Sequence, residues 1–270
     1  MKKIILFIIC TQLITISQEL KLFGVAQPGN AIIGKADNIS QVMLNDKILQ
    51  FDKNGYFTFG FDRDAKGTHL LKIKYTNGKS EIKRFDLPGR EYEIQKITST
   101  KQEFTGPPPE ELPRIERERE IMRNARRKIG IIDTAYFSSG FMLPIKNAKI
   151  TGVFGSQRII NEVPQNIHNG IDYAAPTGTD VFAMADGLVQ LAGDNFYYNG
   201  NFVLIDHGQG LSSIYLHLNK LSVATGEFVT KGQKIGEVGT TGRSTGPHLH
   251  LGVNWYNNKI DPNSLIGIGL

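Results

Sequence analysis

The sequence predicts a mainly β protein: a small N-terminal β-sandwich, a charged connecting helix, and a C-terminal antiparallel β domain. Three observations carry this. Short apolar runs alternate with turn signals up to about residue 98, a stretch of charged helix formers follows a run of prolines, and the turn-and-strand texture resumes at Phe141. A chain of 270 residues is long enough for two ordinary domains, each with its own core.

The first element is a leader. Met1-Lys2-Lys3 precedes an apolar run from Ile4 to Ile16 that Thr11, Gln12 and Thr15 interrupt. A basic start and a short apolar stretch are the layout of a signal peptide, and the run is too short and broken to span a bilayer, which takes ~20 residues. Residues 1–17 are therefore expected to be removed, with the mature chain starting at Gln18, exported to the periplasm or cell envelope and without stable membrane insertion. The single cysteine, Cys10, lies inside the leader. The mature chain can form neither a disulfide nor a thiolate metal site, so any metal must rest on His, Asp or Glu. The formal charge of +5 falls by two, to +3, once Lys2 and Lys3 are removed, a mild balance that selects no polyanionic partner.

Residues 18–98 hold closely spaced strand candidates. Gln41–Leu44 and Lys47–Phe51 flank Asn45-Asp46, and Leu70–Tyr75 ends at the turn pair Asn77-Gly78. Regular short strands with such punctuation read as a β-sandwich. Nothing in it carries chemistry, His69 reads as a strand-edge residue, and no protein partner is legible. Residues 99–131 open with the stiff Gly106-Pro107-Pro108-Pro109 and continue into a predicted helix from about Pro109 to Lys128, where Glu116 and Glu120 precede cations at helical spacing. Acids interleave with bases along it, so it reads as a solvated connector and not as a nucleic-acid surface.

Residues 132–270 hold the informative cluster: His168 and Asp172 in His168-Asn169-Gly170-Ile171-Asp172, His217 in Tyr215-Leu216-His217-Leu218, and His248 and His250 in Pro247-His248-Leu249-His250. Alternate strand residues share a face. His248 and His250 are thus placed on one side, with Leu249, Leu251 and Val253 on the core side. The same rule predicts Ile214, Leu216 and Leu218 inward, and Ser213, Tyr215 and His217 outward. Two imidazoles and one carboxylate make a three-ligand site with an open position, the form of catalytic zinc, and an ion there can activate water for attack on an amide. Five candidate groups exceed three ligands, so two histidines remain for proton transfer or oxyanion stabilisation. His207, beside Gly208, reads as a support for its loop.

At these residues the C-terminal half resembles the lysostaphin-type family of zinc peptidases, which includes cell-wall endopeptidases of the LytM kind. The resemblance runs from Phe141 to Pro262 and includes Gly152-Val153-Phe154-Gly155, Ala185-Asp186-Gly187-Leu188-Val189, Val229–Gly236 and Gly239–His250. It implies that 132–270 is a zinc peptidase domain holding one Zn2+ on His168, Asp172 and His250, with His217 and His248 as the catalytic pair. It also implies peptidoglycan stem or bridge peptides as substrate. The family contains degenerate members that lack ligands, so a catalytically silent wall-binding activator of other hydrolases is the competing reading, opposed by the complete ligand set. A two-His-one-carboxylate iron oxygenase shares the ligand types but leaves His217 and His248 unused.

Overall fold

The computed structural model describes residues 19–97, 107–160, 162–164 and 166–270. The expected leader and the start of the linker lie outside the described residues. Among them strand is the main regular structure, and every strand pairing but one is antiparallel.

In the N-terminal part a three-stranded sheet, with Ala31–Lys35 between Lys21–Phe23 and Tyr56–Gly60, faces a four-stranded one ordered Lys47–Leu49, Ile39–Leu44, Gly67–Tyr75, Ser80–Leu87. Alternation supplies the core between them: Phe57 and Phe59 from one sheet and Val42, Leu71 and Ile73 from the other are fully buried. The Phe59 ring meets Phe85 of the opposite sheet at 5.8 Å. Both predicted turns are present. Asn45 adopts a positive φ between its strands, and Gly78 N–H donates to Tyr75 O at 3.0 Å.

The sandwich packs directly onto the C-terminal part. Gly60 lies against Ile260 and Trp255, Arg90 pairs with Asp261 at 2.8 Å, and the one parallel pairing joins Ile94–Ile97 to Gln157–Ile160.

The helix runs over Leu112–Arg127, led in by a 3-10 turn at Pro109–Glu111. Proline at its start needs no amide hydrogen bond, and Arg126 and Arg127 in the last turn complement the helix dipole. Arg114–Glu118 (2.8 Å) and Arg123–Glu120 (2.5 Å) brace its flank. The expectation of a solvated connector is corrected here. Ile115 and Ala125 are buried, Glu118 Oε2 accepts from Tyr197 N–H at 2.7 Å, and Arg114 Nη2 donates to Asn195 O. Apolar and small residues three and four apart give the helix one packing face despite its charge.

The C-terminal part is one ten-stranded sheet. Its centre runs Gly200–Asp206, Leu211–Leu221, His248–Trp255, Gly170–Ala174, Lys149–Gly152. Partners across the ladder share a face, so Tyr215 opposite Leu251 lies on the core side, and Leu216 opposite His250 on the other. This reverses the face predicted for residues 213–216: Tyr215 is fully buried, whereas Ile214 and Leu216 are half-buried on the site side. The cause is a buried polar network. The Tyr215 hydroxyl accepts from Met184 N–H at 2.9 Å and pairs with the Ser213 hydroxyl at 3.0 Å, whose other partner is His207 Nε2 at 2.7 Å. A buried phenol is tolerated when its hydroxyl is satisfied. His207 thus supports its loop as expected, its other ring nitrogen donating to Asp186 O at 2.7 Å.

Candidate metal centre and active site

His217 would follow Tyr215 into the core if the strand stayed regular. It does not, because His217 has φ +64° and the pairing with Gly200–Asp206 slips between Asn201 and Val203. This bulge turns the His217 ring to the site side, where its centroid lies 4.8 Å from His248 and 6.4 Å from His250, while Leu218 returns to the core. Re-aiming one side chain is what a bulge does.

Register assembles the rest. Asp172 lies opposite His250, and Ala174 opposite His248, so three of the five groups come from two adjacent strands. His168 arrives from the preceding loop, pinned to a turn by its backbone: its N–H donates to Ser156 O (2.9 Å) and its carbonyl accepts from Gly155 N–H (2.8 Å). His168 Nε2, Asp172 Oδ1 and His250 Nδ1 converge, with separations of 3.0 Å (His168 to Asp172), 3.1 Å (His168 to His250) and 2.8 Å (His250 to Asp172).

A carbonyl can only accept, which settles three tautomers. His168 Nδ1–H donates to Val153 O at 2.9 Å, His217 Nδ1–H to Thr241 O at 2.9 Å, and His248 Nδ1–H to Gly246 O at 2.8 Å. In each neutral ring Nε2 is then a lone pair. His168 Nε2 faces Asp172 Oδ1 acceptor to acceptor, an arrangement that repels unless a positive charge lies between them. Three such donor atoms on His, Asp and His suit a divalent cation with an open coordination position. Burial alone would push the Asp172 carboxyl up, but the imidazoles of His168 and His250 set against it outweigh this and hold the group far below the usual carboxylate range. Burial pushes His217 down to about 4, with His248 and His250 adding to the fall and the Thr241 carbonyl opposing it. His217 is neutral at neutral pH and available as a proton acceptor.

Two hollows flank the cluster. One is bordered by Asp172, His248, Thr151 and Pro247. The other, about 460 Å³, lies between the helix and the sheet and is bordered by His250, Leu216, Gly252 and Tyr198.

All five residues singled out from the sequence meet in one place. Sequence reasoning missed their positioning groups: the carbonyls of Val153, Thr241 and Gly246, and the Ser244 hydroxyl 3.2 Å from His248 Nδ1. Backbone carbonyls leave no residue signature. It also missed why Gly152 and Gly170 stand where they do. A Cβ on Gly152 would lie 2.5 Å from Asp172 Oδ2, and one on Gly170 2.7 Å from His250 Nε2.

Residues 166–262 match the family described as Peptidase family M23. Over 83 residues the chain is 51% identical to peptidoglycan DD-endopeptidase ShyA of Vibrio cholerae, covering 31% of this chain and 19% of that protein. It is 42% identical over 122 residues to DD-carboxypeptidase/endopeptidase Mpg of Neisseria meningitidis, covering 45% of this chain and 28% of that protein. The matches thus span under a third of these relatives' lengths. A Pseudomonas aeruginosa crystal structure described as a peptidase M23 superposes with a TM-score of 0.61 at 26% identity, covering 89% of this chain and 94% of that one, so the sandwich, helix and sheet form a shared architecture. Residues 166–262 thus form a peptidase M23 domain, of the LytM or lysostaphin type that the motifs resemble, in a chain whose fold is shared with an M23 structure over most of its length.

Proposed function

We propose that this protein is an exported, zinc-dependent endopeptidase that hydrolyses peptide bonds in bacterial peptidoglycan. The observation that carries the reading is the convergence of His168 Nε2, Asp172 Oδ1 and His250 Nδ1 within hydrogen-bond distance of one another, with His217 and His248 beside them. The names of the relatives, DD-endopeptidase and DD-carboxypeptidase/endopeptidase, support the substrate class.

In this mechanism His168, Asp172 and His250 hold the ion, which supplies Lewis-acid activation of water and of the scissile carbonyl. Gly252, paired with Gly170 across the ladder, borders the hollow beside His250. As water attacks the carbonyl carbon, a proton passes to the Nε2 lone pair of His217 or His248. The protonated imidazole then stabilises the oxyanion by donating a hydrogen bond, and delivers the proton to the leaving nitrogen as the C–N bond breaks. The carbonyls of Thr241 and Gly246 keep both rings in the tautomer this needs.

Digestion of purified peptidoglycan with the mature chain should release fragments whose masses identify the cleaved amide. Intact sacculi after prolonged incubation with zinc-loaded protein would reject the activity and favour a silent activator. Protein purified without added metal should carry about one equivalent of zinc, and its activity should vanish in chelator and return with zinc. Full activity in chelator would reject the metal mechanism. Processing before Gln18 would be read by N-terminal sequencing of protein recovered from the envelope.

A further inference from the structure

The hollow between helix and sheet is lined by four cations, Arg119, Arg123, Arg126 and Lys259, and a single carboxylate, Glu118. Glu118 is engaged by Arg114 Nε (2.8 Å) and by Tyr197 N–H (2.7 Å). Arg119 pairs with Glu116 at 3.5 Å, and Arg123 with Glu116 at 2.9 Å and Glu120 at 2.5 Å. Arg126 and Lys259 differ: among the described residues no carboxylate forms an ion pair with either.

Both are half-buried and meet at the buried amide of Asn254. With that amide oriented to suit Arg126 and Val253, its oxygen accepts from Arg126 Nη1 at 2.6 Å and its nitrogen donates to Val253 O at 2.9 Å, which turns the amide nitrogen toward Lys259 Nζ at 3.4 Å and leaves that ammonium without an acceptor there. Lys259 lies opposite Asn254 across the ladder. Burial, reinforced by the charge of Arg126, pushes Lys259 down to about 8; Asp62 opposes this, accepting only from the Lys259 backbone N–H at 3.4 Å. Two desolvated like charges without a counter-ion are costly, and an anion entering the hollow would relieve both.

His250, Gly252 and Asn254 lie on one face of one strand. At ~3.4 Å per residue, Asn254 is about 13 Å along the groove from the cluster, the span of three or four residues of an extended peptide. We infer that Arg126, Lys259 and Asn254 form a subsite for a carboxylate of the substrate peptide, setting the distance from that carboxylate to the scissile amide. The inference rests on the peptidase reading for the identity of the ligand. It gives the helix a role in recognition, through a residue at the end of its packing face.

The test is fluorescence anisotropy, at 4 °C immediately after mixing, of the full mature chain with a labelled stem pentapeptide. The peptide is used in three forms: all carboxylates free, C-terminal amide, and side-chain amide of the diamino-acid residue. One amide should bind about tenfold more weakly than the free acid, which identifies the carboxylate held. Lys259→Gln, which leaves the Arg126–Asn254 contact in place, should bring the free acid to the level of that amide and leave the amide unchanged; Arg126→Gln should do the same. Equal binding of all three forms, no binding of the free acid, or equal weakening of all three by Lys259→Gln would overturn the subsite. Acid discrimination in a protein that leaves sacculi intact would uphold the subsite and reject the hydrolytic reading instead.

Discussion

His217→Ala and His248→Ala are expected to retain zinc and lose turnover by roughly a hundredfold or more, the usual contribution of an acid–base or oxyanion group. His168→Ala, Asp172→Ala and His250→Ala are expected to lose metal and activity together. The geometry draws this line. His168, Asp172 and His250 place donor atoms 2.8–3.1 Å apart, so each would supply one of only three protein bonds to an ion held there. His248 Nε2 stands 3.9 Å from Asp172 Oδ1, and the His217 centroid 6.4 Å from that of His250, outside the cluster but within reach of a reacting peptide. Zinc content and kcat measured on all five variants decide it. Zinc loss from His217→Ala matching that from His250→Ala would show that the roles are misassigned, whatever the fate of the enzyme class.

Gly170→Ala is expected to damage the site although glycine has no side chain to contribute. The added Cβ would lie 2.3 Å from Leu251 O and 2.7 Å from His250 Nε2. Leu251 O belongs to a central strand held in register by Gly170↔Gly252 and Ile171↔Leu251, so it cannot retreat without breaking the ladder, and His250 cannot move without leaving the cluster. Overpacking of this kind costs about 1–3 kcal/mol, and displacement of a ligand should lower zinc affinity by roughly ten- to a hundredfold. Denaturant unfolding and a competitive zinc titration read the two effects separately. Gly89→Ala, where nothing lies within 4 Å of the new Cβ, is the matched control and should change neither. Unaltered zinc affinity in Gly170→Ala would mean that the strands tolerate the extra atom and that the glycine serves another purpose.

Which residues would meet at the site was legible from residue types and spacing. Absence of a usable cysteine confined any metal to His, Asp and Glu, and the two-residue step from His248 to His250 put both on one strand face. The architecture was legible for a related reason: apolar alternation and turn residues are local properties, and the runs flanking Asn45 and Asn77-Gly78 became paired strands. The face of residues 213–216 was not legible. Periodicity weighed Ile214 and Leu216 as core, but a satisfied hydroxyl let Tyr215 take the interior, and hydrophobicity alone cannot register a hydrogen bond made to residues 31 positions away.

What the sequence by itself determined is therefore the inventory: four histidines and an aspartate that gather at one site, a mainly β chain, and a helix between two β regions. Only the tertiary structure decided their arrangement. The slip that turns His217, the carbonyls of Val153 and Thr241 that lock the His168 and His217 tautomers, the close approaches at Gly152 and Gly170, and the packing of Arg126 beside Lys259 all arise between segments far apart in the chain. Contacts of that kind depend on strand register and on the docking of the helix, and neither is written in the local pattern of residues.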